Sequence, residues 1–161
     1  MRDHFREMFA FERWANHQVL TWLLQHPHQA EMRKIFAHLI AENLPWLYLL
    51  RGHHVPAGIN PEPNWSLDEC QRQLPTVMGA LESFIQSSSN DTLKSIIRSP
   101  GPNGVVFENT ATEILTSLLN HAEHHRGQLL HLIARETGEY VPSLYLSYLR
   151  KVPAEERLLL A

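Results

Sequence analysis

Apolar residues recur along this chain at the three-to-four-residue spacing of helices, and four long helical segments emerge. The first is predicted over residues 2–25, where Phe5, Met8, Phe9, Ala15, Val19 and Leu23 share a face and Pro27 ends the pattern. The second is predicted over 29–51. Met32, Ile35, Phe36, Leu39, Trp46, Leu47 and Leu50 make a nearly continuous stripe there, and Gly52 lies just past its end. Pro45 interrupts the stripe; it lacks a backbone donor, which predicts a kink near Ala41. Residues 53–65 contain three prolines and a glycine and predict an irregular loop. Ser66 and Glu69 then have capping-box spacing and open a third helix, which runs to about Gln86 with Pro75 inside it.

Residues 93–98 and 105–109 are short, β-branched-rich runs on either side of Ser-Pro-Gly-Pro-Asn-Gly, and they predict a small hairpin. Thr110 and Glu113 form a second capping-box pattern, opening a fourth helix that runs to Thr137 and ends at Gly138. Val141-Pro142-Ser143 leads into a short tail helix over 144–151. The expected fold is all-α: a four-helix bundle with a short hairpin excursion and a short C-terminal helix, in one domain over 1–161. The connections before Ser66 and Thr110 are long for hairpin turns, so the order of the helices around the bundle stays open.

Composition narrows the function classes. At 161 residues, 43% of them hydrophobic, the chain is large enough for one self-sufficient core. No apolar run reaches the roughly 18 to 20 residues of a membrane span, and residues 1–7 are charged, so the expected location is the cytoplasm. The net charge is −3 and no basic run is longer than Arg33-Lys34 or Arg150-Lys151, which argues against nucleic acid as a partner. Cys70 is the only cysteine, which excludes an intrachain disulfide and a thiolate cluster. Eleven histidines are a heavy load for this length, and histidine is the commonest metal ligand.

The fourth helix carries His-Ala-Glu-His-His-Arg-Gly-Gln over 121–128. Residues four apart on a helix stand one above the other, so His121 and His125 can grip one ion from one face. The pair alone does not separate a metal site from two ordinary histidines. Its position does more, because His121 and His125 border the apolar stripe of Ile114, Leu118 and Leu132, where a lone imidazole needs a partner. His124 and His131 fall on a polar stripe and are expected at the surface. A third ligand has to come from a facing helix, and the second helix offers His38. Glu42, four residues on, is an orienting partner for an imidazole, a solvated carboxylate or a fourth ligand, in that order. Arg126 points about 100° away from His125 and suits an interhelix or intersubunit ion pair as well as a substrate contact. Three protein nitrogens with an open position is the pattern of a catalytic metal site.

The sequence resembles the DinB family of metalloenzymes over nearly its whole length. Trp14-Ala15-Asn16 is similar to the family's early tryptophan motif, and His38-Leu39-Ile40-Ala41-Glu42 with Trp46 to its second-helix signature. The stretch from Thr110 through His121–Gln128 resembles its strongest motif, and Val141-Pro142 to Tyr148 its closing segment. The resemblance implies a four-helix bundle, often a homodimer, with a divalent metal ion, zinc or nickel, on three histidines matching His38, His121 and His125. It also implies kinship with transferases and isomerases that use low-molecular-weight thiols. Two departures stand out: Pro45 lies close enough to tilt His38, and Ser143-Leu144 occupies a place where relatives often carry an acidic residue.

Two functions compete on these grounds. The first is a metal-dependent enzyme that transfers a low-molecular-weight thiol or activates water, with Trp14, Trp46 and Trp65 as candidate pocket walls. Aromatics at helical spacing belong to the core more often than to a pocket, and the loop at 53–65 and the hairpin are further candidates for a rim. The alternative is a non-catalytic, metal-binding, dimeric stress-response protein. An exchangeable open site favours the enzyme, and a site closed by Glu42 favours the alternative.

Overall fold

The computed structural model describes residues 1–157. Helices dominate it. Four long ones are α1 (Arg2–Gln25), α2 (Ala30–Ala41), α4 (Leu67–Ser87) and α6 (Ala111–Thr137), joined by shorter elements α3 (Asn43–Leu50), α5 (Asn90–Lys94), α7 (Tyr145–Lys151) and α8 (Ala154–Arg157). The second predicted helix is thus two, α2 and α3, meeting at Glu42. Its backbone keeps helical dihedrals, and its N–H still bonds the His38 carbonyl at 2.9 Å. The break falls where Pro45 leaves the Ala41 carbonyl without a donor, as the sequence led one to expect. Pro75, by contrast, leaves α4 unbroken.

Local signals set the ends of these elements. Ser66 accepts the Glu69 N–H at 3.1 Å to start α4, but the reciprocal half of the capping box is not made, because the Glu69 carboxylate turns to Arg72 and Gln73. At α6 both halves form: Thr110 Oγ1 takes the Glu113 N–H at 3.1 Å and Glu113 takes the Thr110 N–H at 2.8 Å. Gly138 closes α6 at φ +71°, a left-handed conformation that a side chain would strain.

The hairpin exists, but with shifted limits. β1 (Ile96–Pro100) pairs antiparallel with β2 (Val106–Thr110), Ile97 facing Asn109 and Ser99 facing Phe107. Leu93, expected in the first strand, sits instead in α5, because the Ser89 hydroxyl caps a short helix there and buries Leu93 completely. The tail helix begins at Tyr145, one residue later than expected, and α8 follows without having been anticipated.

Helix α1 packs on α4 and α6, and α2 packs on α6 and α4, while α1 and α2 touch only slightly although they are sequence neighbours. Phe9, Leu23, Phe36, Leu39, Met78, Leu81, Ile85, Leu129 and Ile133 are almost fully buried between the helices. Each such side chain contributes about 1.5–3 kcal/mol on leaving water. A smaller cluster of Phe11, Ala15, Tyr148 and Val152, with Trp14 against it, seats α7 on the outer side of α1. Among the described residues, no helix is long and apolar enough to cross a membrane.

Candidate metal centre

The packing of α2 on α6 brings His38 to the histidine pair of α6. Ring centroids are 5.4 Å apart for His38 and His121, 4.7 Å for His38 and His125, and 4.4 Å for His121 and His125. One ring nitrogen from each lies within 4.8 Å of the others. Nitrogens held at about 2.0–2.1 Å by one ion are separated by distances within that limit. The α2–α3 break lies one turn beyond His38 and does not turn it out of the cluster.

The hydrogen bonds around the cluster bear on which nitrogens are free. His38 Nδ1 lies 2.7 Å from the Pro61 carbonyl oxygen, which can only accept. The proton is therefore on Nδ1, and Nε2 keeps its lone pair. His125 Nδ1 lies 2.8 Å from Gln128 Oε1, which leaves its Nε2 free in the same way. His121 Nε2 is buried and, among the described residues, has no hydrogen-bond partner. An orphaned buried ring nitrogen between two imidazoles with free lone pairs fits a metal ion, which would repay the desolvation that the orphan otherwise suffers.

Electrostatics agree with that fit. Burial holds the His121 imidazole below its ordinary value, with Glu42 pulling the other way and His38 and His124 reinforcing the shift. Burial does the same at His125 against the opposing hydrogen bond that the ring donates to Gln128. Both are thus biased toward the neutral form that a metal requires. Cys70 offers no competing ligand: it is fully buried, and burial pushes its thiol up to about 11.

Glu42 makes no hydrogen bond to an imidazole and is outside the three-residue group. It reaches the site through its charge at His121. The partners that hold the rings are instead the Pro61 carbonyl and Gln128. A backbone carbonyl has no sequence signature, and Gln128 was legible only as a flanking residue three positions after His125. His124 and His131 are exposed, as their polar stripe implied. Arg126 is 1% exposed and turns away from the site. It donates to Glu12 Oε1 at 2.6 Å and Asn16 Oδ1 at 3.1 Å, pairs with Glu123, and lies over the Phe11 ring. Burial is the largest influence and opposes its charge, but the Glu12 and Glu123 carboxylates together outweigh it and raise the guanidinium value. Arg126 is therefore an α6–α1 clamp.

His38 and His125 open onto a cavity of about 480 Å³. Its walls are Lys34 and Ile35 of α2, residues 62–64 of the loop, and Gln128. Arg33 pins that loop by donating to Asn64 Oδ1 at 3.2 Å and to the Trp65 carbonyl. The loop is thus a rim, as anticipated. The hairpin and the tryptophans take no part in the wall: Trp46 and Trp65 pack against the main core and Trp14 against the smaller one.

Among curated proteins and among solved structures, none matches this chain. A sequence model of the DinB superfamily matches residues 11–129, about three quarters of the chain. That stretch contains α2 and the part of α6 that carries His121 and His125, and the chain belongs to the DinB superfamily.

Proposed function

We propose that this protein is a metal-dependent enzyme that binds one divalent ion, zinc or nickel, through Nε2 of His38, His121 and His125. The observation that carries the reading is the buried, unpartnered His121 Nε2 flanked by two imidazoles whose other nitrogens are already engaged. When bound, such an ion lowers the pKa of a coordinated water or thiol and so supplies a nucleophile near neutrality. The chain's own residues shape what arrives. The cavity beside His38 and His125 is large enough for a small molecule, and it leaves the position opposite the histidines accessible. Lys34 lies one helical turn before His38 on the same face, where its ammonium suits an anionic group of the incoming molecule. We take that molecule to be a low-molecular-weight thiol, with water as the other nucleophile class. We further infer that the four long helices form a four-helix bundle and that the protein acts as a cytoplasmic homodimer.

The non-catalytic alternative requires a closed site, and the accessible cavity and a three-histidine group that does not include Glu42 favour the open one. The test is metal analysis by mass spectrometry on tag-free protein, wild type beside His38→Ala, His121→Ala, His125→Ala and His124→Ala. About one ion per chain is expected in wild type and in His124→Ala, and none in the other three. A wild type that takes up no zinc or nickel refutes the reading. Loaded protein should also show a thiol-dependent absorption shift with cobalt in place of zinc, and an unchanged spectrum would exclude the thiol and leave water as the nucleophile.

A further inference from the structure

Resting on the three-histidine reading above, we propose that Gln128, itself oriented by His124, is the positioning residue that sets His125 in the tautomer a metal can use. A neutral imidazole carries one ring proton. For Nε2 of His125 to offer a lone pair, that proton has to sit on Nδ1, and Nδ1 has to face an acceptor. Gln128 Oε1 is that acceptor at 2.8 Å.

A glutamine amide can turn over, however. Its oxygen and nitrogen occupy nearly the same space, and only the surrounding hydrogen bonds choose between them. Turned over, Gln128 would present N–H groups to His125 Nδ1. The proton would then move to Nε2 and block the atom that the ion needs. His38 is free of this ambiguity, because the Pro61 carbonyl accepts and never donates.

His124 bears on that choice at His125. Its Nε2 lies 3.1 Å from Gln128 Nε2. With its own proton on Nδ1, His124 accepts from the amide N–H and holds Gln128 in the productive orientation, and the NMR tautomer of His124 reads whether it does. The spacing on α6 makes this possible: Gln128 is three residues from His125 and four from His124, so one side chain reaches both rings. An exposed histidine outside the ligand set thereby acquires a function. Three residues of α6, His124, Gln128 and His125, form a chain of hydrogen bonds that ends on Nδ1 of a ligand ring, the nitrogen opposite the one offered to the ion.

The test compares zinc affinity, by competition with a chromophoric chelator, among wild type, Gln128→Leu, Gln128→Glu and His124→Ala. Long-range 15N–1H NMR on the zinc-free proteins reads the imidazole tautomers independently of metal. Gln128 is exposed on a helix that leucine suits, so circular dichroism should confirm that each variant is folded. Gln128→Leu is expected to bind zinc about 10- to 100-fold more weakly, with His125 divided between tautomers. Gln128→Glu presents an acceptor whichever way it turns. It should therefore match or exceed wild-type affinity, with His125 protonated at Nδ1, and should not respond to a second substitution His124→Ala. His124→Ala alone should weaken zinc less than Gln128→Leu. Zinc affinity in Gln128→Leu within twofold of wild type, or Gln128→Glu as weak as Gln128→Leu, overturns the proposal while leaving the three-histidine site standing. A wild type that binds no zinc removes the site itself, and the NMR tautomer of His125 then decides the hydrogen-bond chain alone.

Discussion

Replacing Arg126 by methionine isolates the clamp between α6 and α1. Arg126 and Glu12 are 1% and 3% exposed and 2.6 Å apart. Asn16 is fully buried beside them, donating to Glu12 Oε1 at 2.8 Å and accepting from Arg126 at 3.1 Å. Methionine roughly fills the space of the arginine stem but leaves the Glu12 carboxylate buried without its counter-charge. Breaking one side of a buried pair typically costs about 3–5 kcal/mol. For a chain of 161 residues, each kcal/mol corresponds to roughly 2–4 °C, so the melting temperature should fall by roughly 6–20 °C. Removing both charges, as Arg126→Met with Glu12→Leu, should recover at least half of the loss. The remainder reflects Asn16, which then lacks both partners. Urea unfolding followed by circular dichroism, with metal removed and the m-values compared, measures the three free energies. A single substitution costing under about 1 kcal/mol would refute the reasoning. So would a double variant no more stable than Arg126→Met alone, because the cost would then lie in packing rather than in an uncompensated charge.

Glu82 gives a pH dependence of known sign. Burial pushes its carboxyl from an ordinary 4.5 up to about 7, overcoming the opposing pull of Arg13 at 3.1 Å. A carboxyl that holds its proton more tightly when folded stabilises the fold below 4.5, and that contribution is lost as pH rises through about 7. The stability of wild type relative to Glu82→Gln should therefore fall by on the order of 3 kcal/mol across that window and level off above it, as measured by urea titrations at stepped pH. A flat difference would contradict the assignment. Trp14 is half-buried in the small cluster that seats α7, so Trp14→Ala should cost about 2 kcal/mol, below the roughly 3–5 kcal/mol of a fully buried aromatic. Its near-ultraviolet spectrum should lose the Trp14 contribution while helix content is kept. Zinc at a hundredfold excess over its Kd should stabilise the wild type by about 2.7 kcal/mol in urea unfolding and leave His38→Ala unchanged.

The helices were legible because their determinants are local. Apolar spacing, the serine and threonine caps at Ser66 and Thr110, and the stop at Gly138 act within one or two turns, so each can be read off consecutive residues. The kink announced by Pro45 was local too. The start of the hairpin was misplaced because Leu93 and Lys94, helix formers by themselves, were grouped with the β-branched Ile96 and Ile97 that follow. The Ser89 cap and the burial of Leu93 decided in favour of α5.

The histidine pair on α6 likewise follows from sequence, since a four-residue interval on a helix is a distance in space. What sequence determined by itself was therefore the long helices, the pair His121 and His125, and the candidacy of His38, which the family resemblance supported. Tertiary structure alone decided the rest. It set α2 beside α6 rather than beside α1, closing the triangle of imidazoles, because that choice is made by the fit of whole apolar faces. It turned Arg126 inward onto Glu12, a residue more than a hundred positions away. It brought the Pro61 carbonyl to His38 and left His121 Nε2 buried without a partner. Such contacts depend on where the chain returns in space, and no interval along the sequence records that.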